Sequence, residues 1–258
     1  MFGAPAGSRR AAERHTGRRP GPGMCSTAER GASPRILGQT AYRRADGSAD
    51  LPHLHRGSRR HRLGRMRLRL ALTVDDGTNE AVIEGYAKLA RDTGLRLTFF
   101  CNGVNSGWTR HADLLRPLHD ENQIFIANHT WSHHDLLRLS SGGVADQVRR
   151  NEAFLQKTYG TLGRPFMRPP YGSHDHALDA QLADLGYPAV TMWLGSLGDS
   201  TVQKPEVIVA SAKQWMLPGH IVIGHANHLP VTKVYGQLVE IIRARALQPV
   251  HLGDVFAV

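Results

Sequence analysis

The chain has 258 residues, 41% of them hydrophobic, enough to bury a large core in one domain or at most two. Its formal net charge of +10 looks like a nucleic-acid signal until it is partitioned: residues 1–70 hold 16 Arg and no Lys against 4 acidic residues, while residues 71–258 carry 16 basic and 18 acidic. The part expected to fold is therefore nearly neutral and gives no nucleic-acid signature, no run approaches the roughly 18 apolar residues of a membrane span, and two distant cysteines, Cys25 and Cys101, make no disulfide framework.

The segment from Met1 to about Arg65 is rich in Arg, Gly, Pro and Ser and lacks any sustained period of 2 or 3.6. It is expected to be a disordered basic extension, with Met66 as an alternative initiator immediately before the first strand. The arginine cluster from Arg56 to Arg65 would attract polyanions, but no aromatic residues interleave it to stack bases. No apolar h-region follows the early arginines, so the sequence as written predicts a cytoplasmic protein.

From Met66 onward strands alternate with helices. Leu68 to Val74 reads as a strand, and Val82, Tyr86, Leu89 and Ala90 then share one helical face that Gly94 terminates. Further strands are expected at Leu95 to Cys101, Ile124 to Ala127, Phe166 to Arg168, Ala189 to Leu194, Ile221 to Gly224 and Val250 to Leu252. Helical patterns lie between them at Val144/Val148/Leu155, at Leu178/Leu182/Leu185 with Gly186 behind, at Val207/Ser211/Trp215 after Pro205, and at Leu238/Ile241/Ile242. About seven parallel strands with intervening helices fit either an open doubly wound sheet or a barrel. Asp75, His129, Arg168, Asp199 and His225 all fall at or just past strand C-termini, which favours a distorted α/β barrel of the (β/α) type with its site at one mouth.

Three short stretches carry the chemistry. Asp75-Asp76-Gly77 sets two adjacent carboxylates after an apolar strand, which a buried strand would not tolerate without partners. His129-Thr130-Trp131-Ser132-His133 spaces two imidazoles four residues apart, so that one helical turn would bring them onto a single face. Arg168-Pro169-Pro170-Tyr171 follows a third strand. Asp, His and His together suit zinc or a similar divalent ion and leave positions open for water and substrate. An Asp-Asp-Gly turn alone is usually a solvated loop and a lone histidine pair usually a surface accident, but their ordered combination is not. His134 competes with His133, and the four-residue spacing favours His133; His228 competes with His225, and the strand leading directly into His225 favours the latter.

Thr73-Val74-Asp75-Asp76-Gly77, His129 to His133, Arg168-Pro169-Pro170-Tyr171-Gly172 and Ile221-Val222-Ile223-Gly224-His225, with Thr98-Phe99-Phe100 between, resemble the ordered motifs of the polysaccharide deacetylases, the NodB-homology carbohydrate esterases. The resemblance spans about residues 67–256. It implies a distorted (β/α) barrel, one divalent ion, zinc first with cobalt or nickel as substitutes, and removal of acetyl groups from sugar polymers. Carried over residue by residue, it implies Asp76, His129 and His133 as metal ligands, Asp75 as general base, His225 as general acid, Arg168 as the group that holds Asp75, and the Tyr171 backbone N–H at the oxyanion.

The fourth motif departs from the family. Aligned on Trp193, its Asp-x-x-Asp-Trp becomes Ser196-Leu197-Gly198-Asp199-Ser200, which keeps the second Asp, expected to anchor Arg168, and loses the first Asp and the Trp that walls the acetyl pocket. Val74 stands where the family usually has Phe. The expected activity is deacetylation of chitin oligomers, peptidoglycan or xylan, amide in preference to ester. Two other readings stand beside it: a sugar-binding barrel that has lost turnover, and a nucleic-acid-associated protein acting through the arginine tail. The sequence leaves oligomeric state open.

Overall fold

The computed structural model describes residues 35–36 and 68–256. Eight strands form one parallel sheet: β1 (Arg35–Ile36), β2 (Arg69–Asp76), β3 (Leu97–Cys101), β4 (Ile124–Asn128), β5 (Phe166–Met167), β6 (Ala189–Val190), β7 (Ile221–His225) and β8 (Gln248–Pro249). Their order is β1-β6-β5-β4-β3-β2-β7, with β8 also pairing β2. The sheet curls toward closure. Between β6 and β7 the seam is spanned by Leu194 to Leu197, whose Leu194 and Leu197 amides donate to the Ile221 and Ile223 carbonyls at 2.8 Å each. The distorted parallel α/β barrel expected from the strand–helix alternation is what the chain adopts. β1 falls inside the span expected to be a disordered extension and pairs with Ala189 and Val190; the rest of residues 1–65 lies outside the described residues.

Alternation along each strand builds two layers. Leu70, Leu72 and Val74 of β2, Leu97 and Phe99 of β3 and Ile124 and Ile126 of β4 pack outward under α1 (Glu80–Thr93), α2 (Gly107–Arg110) and α3 (Ala112–Asp120). Ala71, Phe100, Ala127, Phe166, Ala189 and Ile221 fill the interior of the curl, closed below by Val250 and Leu252. The same alternation puts Thr73 and Asp75 on the interior side above Ala71, and the register sets Asp75 opposite His225. Asp76 has φ 74°, which ends the alternation and turns the second carboxylate toward the same mouth.

The helices follow their local signals. Asn79 caps α1 by accepting from the Ala81 amide, and Gly94, at φ 71°, ends it with its N–H on the Ala90 carbonyl. Ser140 caps α4 (Ser141–Tyr159) and Asp175 caps α5 (His176–Asp184) in the same way. In α6 (Pro205–Trp215) the buried face is Ile208 and Ala212, one residue on from the expected stripe, because Val207 faces solvent. All three expected positions of α7 (Tyr235–Ala244) are buried. The last strand lies two residues earlier than expected: Gln248 and Pro249 make the ladder, and Leu252 opens the short α8 (Leu252–Val255). Val250 and Leu252 are apolar because they plug the barrel floor, so their burial signal marks a plug and not a strand. Among the described residues no helix is long and apolar enough to cross a membrane.

Candidate active site

At the C-terminal mouth of the strands, Asp76 Oδ1 lies 3.1 Å from His129 Nε2 and 3.2 Å from His133 Nε2. These three side chains offer ligand atoms that all lie within 4.8 Å of one another. Asp76 Oδ1 is buried yet accepts no hydrogen bond of acceptable geometry. A buried oxygen without a donor needs an explanation, and a divalent cation would satisfy it together with the two imidazole lone pairs. The donor set therefore fits a metal. Burial would raise the Asp76 carboxyl, but the imidazoles around it, His129 first and then His133 and His225, hold it well below the usual carboxylate range.

The two imidazoles converge without a helix. Residues 129–135 form an irregular loop in which Thr130 (φ 71°) and His133 (φ 58°) are both left-handed, so the helical turn expected from the four-residue spacing is absent. Buried amides fix this loop instead. Asn102 donates to the His129 and Thr130 carbonyls, Asn128 Oδ1 accepts from the Thr130 amide at 2.8 Å, and Asn151 holds Asn128 in turn at 2.8 Å. His129 Nδ1 donates to the Arg168 carbonyl at 2.6 Å, which aims Nε2 at Asp76, and against its burial the two neighbouring carboxylates raise the His129 pKa. Burial pushes His133 down from the ordinary histidine value and the neighbouring His129 adds to this, favouring the neutral form that a metal needs. His134 instead pairs with Ser132 Oγ at 2.9 Å.

Asp75 is buried and held by Arg168, whose Nη1 donates to Asp75 Oδ1 at 2.6 Å and to Thr73 Oγ1 at 2.7 Å. Arg168 is itself fully buried between the Phe100 ring, 4.1 Å from its guanidinium carbon, and the Trp193 ring, 5.4 Å away, with Nε on the Thr191 carbonyl. Burial presses its pKa downward, and the charge and hydrogen bond of Asp75 oppose this.

Asp199 does not anchor Arg168 as expected. It takes His225 with both oxygens, Oδ1 at 3.0 Å from Nδ1 and Oδ2 accepting the backbone N–H at 3.1 Å. The turn at Gly198 (φ 73°) carries Asp199 to the β7 side of the mouth, while Arg168 gives Nε to Thr191 and Nη1 to Thr73 and Asp75, and its Nη2 finds no partner among the described residues. Burial lowers the His225 pKa, but the Asp199 hydrogen bond and the nearby carboxylates outweigh it, and the net direction is upward. His228 points outward, its Nε2 3.3 Å from the Ser200 carbonyl.

Asp75, Asp76, His129, His133, Tyr171 and His225 line one cavity of about 610 Å³, with Ser196 and Ser200 of the altered fourth motif on its wall. Tyr171 sits at the lip with φ 61°, 70% exposed, its ring centroid 4.6 Å from that of His133. Two supports escaped sequence reasoning. Trp108 donates from Nε1 to the Asp76 carbonyl at 2.9 Å, and Asn227 donates from Nδ2 to Asp76 Oδ2 at 2.6 Å. Asn227 stands two residues past His225, and that nearness to the last motif was the one available signal.

The family model for polysaccharide deacetylase matches residues 66–190. A chitin deacetylase of Pestalotiopsis sp is 30% identical over 189 residues, 71% of this chain and 62% of that protein. The peptidoglycan-N-acetylglucosamine deacetylase PgdA of Listeria monocytogenes is 27% identical over 162 residues, 62% of this chain and 33% of that protein. Among solved structures, the T48 deacetylase with substrate superposes with a TM-score of 0.65 at 27% identity, covering 74% of this chain and 92% of that one. The chain thus spans less than two thirds of the length of either curated relative. The domain match, the relatives and the shared barrel agree with the motifs gathered at the strand ends: residues 66–190 are a polysaccharide deacetylase domain, that of the NodB-homology carbohydrate esterases.

Proposed function

We propose that the protein is a metal-dependent deacetylase that hydrolyses N-acetyl groups on a carbohydrate, with chitin oligomers and peptidoglycan as the first candidates, and the ester O-acetyl groups of a glycan such as xylan after them. The observation that carries this reading is a single cavity holding the Asp76-His129-His133 cluster, an Arg168-held carboxylate and an Asp199-held imidazole. A divalent ion held by Asp76, His129 and His133 would supply Lewis acidity toward the acetyl carbonyl and toward the attacking water. Asp75 receives the water proton. Its bond to Arg168 fixes its orientation. The Tyr171 backbone N–H donates to the oxygen on which negative charge develops. His225, with its Nδ1 proton on Asp199, gives a proton to the departing amine nitrogen. One proton enters at Asp75 and one leaves at His225, so each turnover ends with a proton to be exchanged with solvent.

Acetate release tests the proposal. Zinc- or cobalt-loaded protein is offered chitin oligomers, peptidoglycan and acetylated xylan, and turnover should stop on chelation and return on adding the ion. A protein that binds these glycans with the ion in place and releases no acetate would be the sugar-binding barrel instead.

A further inference from the structure

Asp76 is a carboxylate whose two oxygens face different partners. Oδ1 looks at the His129 and His133 nitrogens, while Oδ2 accepts a 2.6 Å hydrogen bond from Asn227 Nδ2. The direction of that amide is fixed by its other end. Asn227 Oδ1 accepts from the Thr78 backbone N–H at 3.2 Å and from the Thr78 hydroxyl at 2.9 Å, and a backbone N–H cannot accept, so Nδ2 must face Asp76. Thr78 lies two residues after Asp76 on the same turn, so the contact ties the loop after β2 to the loop after the neighbouring strand β7.

We propose that Asn227 is a positioning residue that engages Asp76 Oδ2 and so makes Asp76 a one-oxygen ligand. This rests on the reading of Asp76, His129 and His133 as the ion site. A carboxylate without that donor can turn about its Cβ–Cγ bond and present both oxygens to a cation. The extra oxygen would take a position that water or substrate needs. A charge-assisted bond to a ligating carboxylate also sets its orientation before the ion arrives, and losing such a support typically costs about 10- to 100-fold in metal affinity.

The test compares wild type with Asn227→Leu, which keeps the bulk and removes the donor, and Asn227→Ala, which only removes atoms and carries the experiment if the leucine does not fold. Zinc affinity is measured by competition with a chromophoric chelator, the visible d–d bands are recorded on cobalt-loaded protein, and thermal unfolding is followed without metal. Expected are a dissociation constant for zinc raised by about 10- to 100-fold, weaker cobalt bands as a second Asp76 oxygen raises the coordination number, and a metal-free unfolding midpoint near that of wild type. Wild type that binds one ion while a folded variant binds zinc equally well with an unchanged cobalt spectrum overturns the role of Asn227 alone. Wild type that takes up no zinc or cobalt overturns the ion reading and this inference with it.

Discussion

Asp75 and Asp76 are adjacent, yet their surroundings differ enough that the same substitution should harm them differently. Asp75 spends Oδ1 on Arg168, and Asp76 turns Oδ1 to the imidazoles. Asp75→Asn should leave ion binding near normal and remove most turnover, because an amide takes no proton, whereas Asp76→Asn should weaken the ion itself; metal content after dialysis and acetate release separate the two. Equal metal loss in both would make Asp75 a ligand. On the neighbouring strand, His225→Ala should lose about 10²–10⁴-fold on an N-acetylated sugar and keep a larger share of activity on an activated acetyl ester, whose alkoxide leaves with less help. His228→Ala should change neither rate greatly, and an amide-selective defect there would move the acid by three residues. The Asp199 contact raises the His225 pKa, so the acid form persists as pH rises and is lost above the raised value. Asp199→Asn removes the charge, and the alkaline limb of kcat/KM should move to lower pH; a limb that stays in place would mean that another group sets it. At this scale residue identity and strand-end position were enough to find the acids, histidines and Arg168. What Asp199 touches was not legible, because its partner depends on how far the loop after Gly198 travels, and no spacing encodes that.

The loop from His129 to Asp135 teaches a different lesson. Four-residue spacing on an unspecified backbone suggests a helical turn, but Asn128 and Asn151 offer side-chain bonds that compete with helix formation, and the chain takes them. Thr130 is the costly member. It is β-branched at φ 71°, and its buried hydroxyl finds no partner. A left-handed conformation costs a residue with a Cβ roughly 1–2 kcal/mol, so Thr130→Gly should leave the metal-free protein equally stable or more stable by about 1 kcal/mol in denaturant unfolding, against the loss that truncating a buried side chain normally brings. A clear destabilisation would mean that the threonine methyl packing outweighs the backbone. Four of the six non-glycine residues with positive φ among those described, Asp76, Thr130, His133 and Tyr171, belong to the site. Strain gathers where the chemistry is. Elements that rest on long periodic patterns, such as α1, α4 and α7, were legible in the sequence. The register of the last strand and the buried face of α6 were not, since an apolar residue reports burial without saying whether a strand, a plug or a helix buries it.

Across the whole molecule the ladders are unequal. β2, β3, β4 and β7 share registers of five residues, whereas β5 joins β4 through the single pair Asn128 and Met167, and β6 joins β5 through two. Amides of the long ladders should therefore exchange with solvent only on global unfolding, and those of β5 and β6 through smaller openings of lower free energy, which native-state hydrogen exchange would resolve. Uniform protection across the sheet would remove the distinction. Alternation and motif order made the barrel legible, but a two-residue strand is too short to announce its own pairing.

That imbalance divides the mouth of the barrel into a still half and a yielding half. Asp75, Asp76, His129 and His225 grow from or directly follow the long ladders, while Arg168, Tyr171 and Trp193 follow the short ones. Tyr171 and Trp193 then form the wall with the smaller hold on the sheet, while the three residues proposed to hold the ion, and His225, stand on the firmer bank. Under the proposed function, that wall is the one that can yield to a sugar while the ion ligands keep their spacing.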